Sequence, residues 1–243
     1  MIYNHIIKSI ENKKKLFGLL IDPDNHSDQS LINIIDKANS AKVDLILIGG
    51  SLLNNHIDHA ADLIRRNTKI PMVLFPGSPL QITSNADGIL LLSLISGRNP
   101  DLLIGNHVIA SAYIKRSGLE VLPTGYILIE GGKSTSVEYM SNTRPIPAEK
   151  IDIAIATAMA GEMLGLKLIY LEAGSGANNP VTYDLISGVK KNISIPLIVG
   201  GGIKTKEAVE KTIKAGADII VVGTAIEQNS EVLQEMVEKT HSY

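Results

Sequence analysis

Two glycine-rich turns near the C-terminal end of the chain could bind a phosphate group. One is Gly200-Gly201-Gly202 after the aliphatic run IPLIV, and the other is Gly223-Thr224 after the run DIIVV. Glycine lets backbone N–H groups approach an anion closely, and a helix that begins at such a turn adds a favourable dipole. One glycine triplet is equally explained by a tight turn, whereas two such turns after consecutive runs favour phosphate binding.

A third turn, YLEAGSG over residues 170–176, combines a carboxylate with hydroxyls and two glycines. Residues two apart in a strand share a face. Tyr170 and Glu172 therefore point into the protein if Leu171 packs outward. A carboxylate in such a place can accept a hydroxyl proton or hold a substrate hydroxyl. The alternative interpretation of Glu172 is an ion pair inside the protein.

The polar residues that follow the first two aliphatic runs could hold a divalent cation. Asp22 ends the first run, and Ser51 follows Gly49-Gly50 after the second. Mg²⁺ prefers carboxylate and water oxygens and takes substrate phosphates as further ligands. Asp22 and Ser51 are a sparse set that suits a metal held mainly by a diphosphate. The alternative for Asp22 is an N-cap or Asx turn before Pro23.

The bulk composition excludes several classes of protein and site. The 243 residues include no cysteine, which excludes disulfides, thiolate metal sites and cysteine nucleophiles. A net charge of -2 without a basic stripe gives no reason to expect nucleic acid. Residues 1–11 lack a signal-peptide core, and the longest apolar stretch, 151–171, is interrupted by charged residues. We therefore predict a cytoplasmic protein without a transmembrane segment.

Eight short aliphatic runs, each followed by a turn with Gly, Pro or Asx, predict eight strands. They cover residues 16–22, 44–49, 72–75, 88–93, 121–130, 167–172, 196–199 and 218–222. Amphipathic segments between them predict helices, among them 28–41 and 205–215, the latter with Thr205 as N-cap. Only residues 76–87 separate the third and fourth runs, and Gly77 and Pro79 argue against a full helix there.

Alternation of strands and helices predicts an α/β fold with a parallel sheet. Eight units in a chain of this length favour a single (β/α)8 TIM barrel over residues 1–243, with a reduced or missing third helix. The rival fold, an open doubly wound sheet, needs a G-x-G-x-x-G turn after the first strand, which residues 21–24 lack. Because strand C-termini meet at one face of a barrel, all the residues above would form one site.

Taken together, these motifs resemble those of the geranylgeranylglyceryl phosphate synthase family, which includes bacterial heptaprenylglyceryl phosphate synthases. The shared motifs are IDPD (21–24), GGS (49–51), YLEAGSG (170–176), GGGIK (200–204) and VGT (222–224). The segment PTGYILIE (123–130) is similar to the fifth strand of the family's second, archaeal-type group. The motifs run in order from the first strand to the last, so the resemblance covers almost the whole chain.

The resemblance implies a Mg²⁺-dependent prenyltransferase, which joins the C3 hydroxyl of sn-glycerol 1-phosphate to a polyprenyl diphosphate and releases diphosphate. Asp22 and Ser51 would bind the metal, and Glu172 with Tyr170 would be catalytic. The residues implied in glycerol phosphate binding are Tyr170, Glu172, Ala173, Gly174, Ser175, Gly176, Gly201, Gly202, Gly223 and Thr224. Some bacterial members carry a lysine where this chain has Leu20, so that phosphate contact is lost here.

The resemblance also implies a homo-oligomer, either a dimer or a larger ring, and a transient contact of the prenyl product with a membrane surface. Two other functions stay open. A sugar-phosphate isomerase or an indole-pathway lyase would share the glycine turns but not Asp22 and Ser51 together with YLEAGSG. A non-catalytic phosphate-sensing barrel would bind its ligand without Mg²⁺ and release no diphosphate. Lys133, in the predicted loop after the fifth strand, either meets an anion or faces solvent.

Overall fold

The computed structural model describes residues 1–54 and 56–243, and its strands form a closed parallel barrel in chain order. The strands are β1 (Leu16–Ile21), β2 (Leu45–Ile48), β3 (Met72–Leu74), β4 (Gly88–Leu94), β5 (Glu120–Leu128), β6 (Leu168–Glu172), β7 (Leu197–Gly200) and β8 (Ile219–Val222). Strand β8 closes the barrel by pairing with β1. Each strand agrees with its predicted run to within two residues at either end, so the predicted TIM barrel is confirmed.

The described residues form ten α-helices, most of them on the outside of the barrel. They are α1 (Ile2–Glu11), α2 (Asp28–Ala41), α3 (Ile57–Asn67), α4 (Asn106–Ser117), α5 (Ser136–Ser141), α6 (Ile151–Met163), α7 (Tyr183–Asn192), α8 (Lys206–Lys214), α9 (Thr224–Gln228) and α10 (Val232–His241). The Thr205 hydroxyl accepts a hydrogen bond from Ala208 N at 3.2 Å and caps α8 as predicted. None of the described helices has the length and apolar character needed to cross a membrane.

The connection between β3 and β4 contains no helix, which confirms the predicted loss of the third barrel helix. Side-chain hydrogen bonds hold this segment instead. The buried Gln81 amide donates to the Gly50 carbonyl at 2.9 Å and accepts from Gly77 N at 3.0 Å. The segment is thereby attached to the loop after β2, and the described residues 75–87 supply no helix to the outer face of the barrel.

The apolar core has two layers that follow the alternation of side chains along each strand. Leu47 and Tyr170 belong to the cluster inside the barrel, whereas Ile48 and Leu171 belong to the cluster between the strands and the helices. Leu171 therefore packs outward, and Tyr170 and Glu172 point inward as the sequence predicted. The inward direction brings both polar side chains to the end of the barrel axis.

Helix α1 closes the opposite, N-terminal end of the barrel. Ile2 and Ile6 join the inner cluster, and the Glu120 carboxylate at the start of β5 accepts hydrogen bonds from the N–H groups of Ile2 and Tyr3. A carboxylate at a helix N-terminus satisfies N–H groups that have no partner within the helix. With this end closed, ligands have access to the barrel interior from the C-terminal face.

Candidate functional site

A cavity of about 810 Å³ opens at the C-terminal face of the barrel. Most of the residues that the sequence analysis selected line it, namely Asp22, Ser51, Tyr170, Glu172, Ser175, Gly176, Gly201, Gly202, Gly223 and Thr224. Ala173 and Gly174 lie behind this wall: Ala173 N donates to the Gly200 carbonyl at 3.1 Å, and Gly174 N donates to Glu172. The structure thus brings the polar ends of β1, β2, β6, β7 and β8 into one site.

One end of the cavity is built from glycine turns and hydroxyls. Gly201 and Gly202 have φ angles of +80° and +70°, which residues other than glycine rarely adopt. Ser175 Oγ, after β6, lies 3.0 Å from Thr224 Oγ1, after β8, so the turns meet as predicted. The geometry suits an anion with several oxygens, since N–H and O–H donors from separate turns converge there.

Two lysines lie beside the glycine turns. Lys204 lines the cavity, and its Nζ donates to the Asn178 carbonyl at 3.4 Å. Lys133 is exposed, yet a β-carbon placed on Gly176 would meet its Nζ at 3.6 Å. Lys133 is therefore exposed to solvent, and it is also adjacent to the predicted phosphate end. Solvent exposure and contact with an anion, the two alternatives for Lys133, are thus compatible.

The Glu172 carboxyl is the buried ionisable group of the site, with 5% of the residue exposed. Burial raises its pKa to about 7, against the lowering effects of the Gly174 N–H and the nearby hydroxyls of Tyr170 and Tyr126. Gly174 N donates to Oε1 at 2.6 Å. No cation pairs with Glu172 among the described residues, which argues against the ion-pair interpretation. A carboxylate of this pKa can accept and release a proton near neutral pH.

The side chains of Tyr170 and Tyr126 enclose this carboxylate. Tyr170 is fully buried, and its hydroxyl has no hydrogen-bond partner among the described residues although it lies near Glu172. Burial, and then the charge of Glu172, raise the pKa of both tyrosines well above the ordinary value. Sequence reasoning did not select Tyr126. Its only signal was the inward position on β5, in register with Tyr170 on β6.

Asp22 lies across the barrel from Glu172. Its two carboxylate oxygens have different surroundings. Oδ1 accepts a hydrogen bond from Asp24 N at 3.1 Å and caps the short 3-10 helix that begins at Pro23, as one sequence interpretation predicted. Oδ2 faces Gly50, where an added β-carbon would lie 2.8 Å away. Burial raises the pKa of Asp22, and the nearby Glu227 raises it further.

The donor set at this end fits a divalent cation that takes most of its ligands from substrate and water. It offers Asp22 Oδ2 and Ser51, whose residues line the cavity, with Glu227 of α9 beside them. Within residues 1–54 and 56–243, no group of three His, Cys, Asp or Glu side chains forms a closed metal site. Sequence reasoning missed Glu227, which reaches this place because β8 is the neighbour of β1.

The remaining part of the cavity is an apolar arm. Inward residues of β4 (Leu90, Leu92) and outward residues of the same strand (Ile89, Leu91) all line it. Leu91 and Leu92, on opposite faces of β4, are both partly exposed, because the described residues 75–87 after β3 contain no helix. The arm continues along the turn before α4, along α4 itself and along α5, where the lining residues are Leu102, Ala110, Ile114, Val137 and Met140. Its shape and chemistry suit a long hydrocarbon chain.

Comparisons with known proteins give a consistent result. Residues 8–241 match the model of the PcrB family. The chain is 50% identical over 242 residues to the geranylgeranylglyceryl phosphate synthase of Chitinophaga pinensis, covering 99% of this chain and 96% of that one. It is 41% identical over 222 residues to the synthase of the same name from Pyrococcus furiosus, covering 90% and 88% of the two chains.

A solved structure is similar throughout. The (S)-3-O-geranylgeranylglyceryl phosphate synthase of Thermoplasma acidophilum, in complex with its substrate sn-glycerol-1-phosphate, has a TM-score of 0.95 and 31% identity. The similarity covers 100% of this chain and 99% of that one. By the extent of the family match and by its identity to these relatives, the chain belongs to the PcrB family.

Proposed function

We propose that this protein joins the C3 hydroxyl of sn-glycerol 1-phosphate to C1 of a polyprenyl diphosphate, which forms an ether and releases diphosphate. The observation that carries the proposal is one cavity with three different parts: a glycine-lined end for an anion, a carboxyl of pKa about 7, and an apolar arm. A sugar-phosphate isomerase has no use for such an arm. Family membership supports the same choice.

Different residues of the cavity bind the two substrates and accept the proton. The turns that contain Gly201 and Thr224 hold the phosphate of glycerol phosphate, which directs its free C3 hydroxyl toward Glu172. Ionised Glu172 accepts the hydroxyl proton while the oxygen forms its bond to C1. The hydroxyl of Tyr170, which has no hydrogen-bond partner among the described residues, is placed to hydrogen-bond the glycerol. The apolar arm binds the prenyl tail.

The diphosphate end is assigned to Asp22 and Ser51 with Mg²⁺. When bound there, Mg²⁺ would neutralise the negative charge that develops on the leaving diphosphate. Asp22 and Ser51 would hold the cation through Oδ2 and the hydroxyl, and the Asp22 turn is kept in place by its bond from Asp24 N. Binding of Mg²⁺ in the presence of inorganic diphosphate, measured by calorimetry, tests this assignment without turnover.

The direct test is a diphosphate-release assay with sn-glycerol 1-phosphate and prenyl diphosphates of graded length. We expect release that depends on both substrates and an ether product identified by mass spectrometry. Glycerol 3-phosphate, the mirror-image acceptor, is the matched control. Ligand binding without diphosphate release would support the phosphate-sensing barrel instead. The predicted homo-oligomer is tested by light scattering during gel filtration, where a monomeric mass excludes it.

A further inference from the structure

The chain is poor in aromatic residues, with seven tyrosines, two phenylalanines and no tryptophan, yet three of these rings meet at the candidate site. Phe75, directly after β3, stacks on Tyr170 with ring centroids 5.3 Å apart and an interplanar angle of 12°. Tyr126 packs against both, at 5.8 Å from Phe75 and 5.3 Å from Tyr170. Rings from three different strand ends therefore form one aromatic cluster, defined here as Phe75, Tyr126 and Tyr170.

All three rings of the aromatic cluster line the cavity, and Phe75 is the most exposed of them. Tyr170 and Tyr126 are buried at 0% and 7% exposure, whereas Phe75 is partly exposed and lines the cavity. Its backbone is fixed on the other side: Phe75 N donates to the Ile48 carbonyl at 2.8 Å, and the Phe75 carbonyl lies against Gly49. The ring is thus held by its own backbone and by the Tyr170 ring.

Phe75 links the two polar ends of the cavity: its strand β3 is the neighbour of β2, which Ser51 follows, and its ring stacks on Tyr170 of β6. Asp22 and Ser51 follow β1 and β2, while Glu172 ends β6 on the far side of the closed barrel. The Phe75 ring extends from β3 toward β6, because its stacking partner Tyr170 is two residues before Glu172. A carbon whose leaving group is at Asp22 and whose incoming oxygen is at Glu172 would lie in the part of the cavity between them, and the Phe75 ring lines the same cavity.

We propose that Phe75 is a catalytic residue of the prenyl transfer, whose ring stabilises the positive charge that develops on the allylic carbons. This inference rests on the proposed function. In the reaction the bond from C1 to the diphosphate oxygen breaks, and its electron pair leaves with diphosphate. The C3 oxygen of glycerol phosphate supplies the pair for the new C1–O bond, and its proton passes to Glu172. Positive charge on the allylic carbons is greatest while both C–O bonds are partial.

An aromatic ring suits this position because its face carries negative charge density and no nucleophilic atom. A cation over such a face is stabilised most strongly when both are shielded from water. A carboxylate in the same place would attack the allylic carbon, and an aliphatic side chain would give no electrostatic stabilisation. The sequence contains one other phenylalanine, Phe17, which is fully buried in the outer core. The same substitutions at Phe17 therefore provide a control for those at Phe75.

The experiment replaces Phe75 with phenylalanines that carry one, two or three fluorine atoms, and measures the single-turnover rate at saturating substrates. Fluorine withdraws electron density from the ring face while it leaves size and apolar character almost unchanged. We expect the rate to fall at each step, to a total loss of about 30-fold, which corresponds to about 2 kcal/mol. The dissociation constant of the prenyl diphosphate should change less than 3-fold. The same series at Phe17 should leave the rate unchanged.

A rate that is constant across the series at Phe75 would overturn the proposal and leave the ring as a packing surface for the prenyl tail. The pair Phe75→Tyr and Phe75→Leu gives an independent readout with ordinary amino acids. Tyrosine should keep the rate within about 3-fold and leucine should lose about 30-fold, whereas equal rates would also overturn the proposal. Failure of the proposed function is recognised separately, as no prenylated product from the unaltered protein with any donor.

Discussion

Glu172→Gln is expected to raise the stability of the protein while it lowers activity, because the folded state keeps an ionisable group away from water. Glu172 is 5% exposed and has no ion-pair partner among the described residues. Its pKa rises from an ordinary value of 4.5 to about 7 through burial. The neutral form is therefore favoured in the folded protein, and the stability that it provides is fully present below pH 4.5. That stability is lost as the pH rises through 7.

The size of the effect follows from the pKa difference. At pH 8 a shift from 4.5 to about 7 corresponds to about 3 kcal/mol of unfolding free energy, and at pH 5 to about 1 kcal/mol. Glutamine does not ionise, and its carbonyl can still accept the bond from Gly174 N. The variant should therefore melt up to about 6–12 °C higher than the unaltered protein at pH 8, with a much smaller difference at pH 5.

Activity should change in the opposite direction. Loss of a general base lowers kcat by roughly 100- to 10,000-fold. In the unaltered protein, kcat/KM should rise about tenfold from pH 6 to pH 8, as the ionised fraction of a group with pKa 7 grows from about one tenth to about nine tenths. The remaining activity of the glutamine variant should lack this rise.

Melting temperature and kcat are measured on the same preparation at both pH values. Glu130→Gln is the control for the change in net charge, because Glu130 is exposed, follows β5 by two residues and does not line the cavity. A glutamine variant at position 172 that is less stable at pH 8 would show that the carboxylate is structural. A folded variant with near-native kcat would refute the assignment of Glu172 as base.

The other predictions concern the two anion-binding ends of the cavity. Asp22→Asn should fold normally, because asparagine is also a good N-cap, but should lose turnover at ordinary Mg²⁺ and weaken Mg²⁺ binding with diphosphate in calorimetry. Unchanged Mg²⁺ affinity would exclude Asp22 as a ligand. Gly223→Val should raise KM for glycerol phosphate more than KM for the prenyl donor, since Gly223 lines the cavity at a φ of −124°. Equal effects on both would indicate general damage. Gly202→Ala should instead lower the melting temperature, because its φ is +70° and a β-carbon would lie 2.5 Å from the Asn179 carbonyl oxygen. An unaltered melting temperature would contradict this.

The sequence was sufficient for those features that depend on short-range patterns. Alternation along YLE correctly predicted that Leu171 packs outward and that Tyr170 and Glu172 point inward. The short connection with Gly77 and Pro79 correctly predicted a missing helix. The predicted turns also meet, as the contact between Ser175 and Thr224 shows. In each case the fold places strand C-termini at one face, so membership of a strand end was enough to predict membership of the site.

Features that depend on barrel closure could not be predicted in this way. The Glu120 carboxylate that caps α1 is 118 positions from Ile2, and no local pattern relates the two. Glu227 reaches the vicinity of Asp22 only because β8 pairs with β1. The family resemblance implied Gly174 in glycerol phosphate binding, and the structure shows its N–H donating to Glu172 Oε1. Periodicity gives the direction of a side chain, whereas its partner is decided by which strands become neighbours.

The aromatic cluster shows what this difference means for function. Phe75 in the sequence is one apolar residue at the end of an aliphatic run, and Tyr126 is one residue of an inward strand face. Closure of the barrel sets their rings against Tyr170, and the buried rings of Tyr126 and Tyr170 lie beside Glu172, whose own burial raises its pKa. The same packing therefore contributes to the burial that raises the pKa of the carboxyl to about 7, and it leaves Phe75 partly exposed at the cavity. Because both properties arise from one set of contacts, a substitution at Phe75 that admits water should also lower the pKa of Glu172 toward its ordinary value. The pH dependence of kcat/KM in Phe75→Ala should then extend to lower pH than in the unaltered protein, and an unshifted profile would show that the ring does not exclude water from the carboxyl.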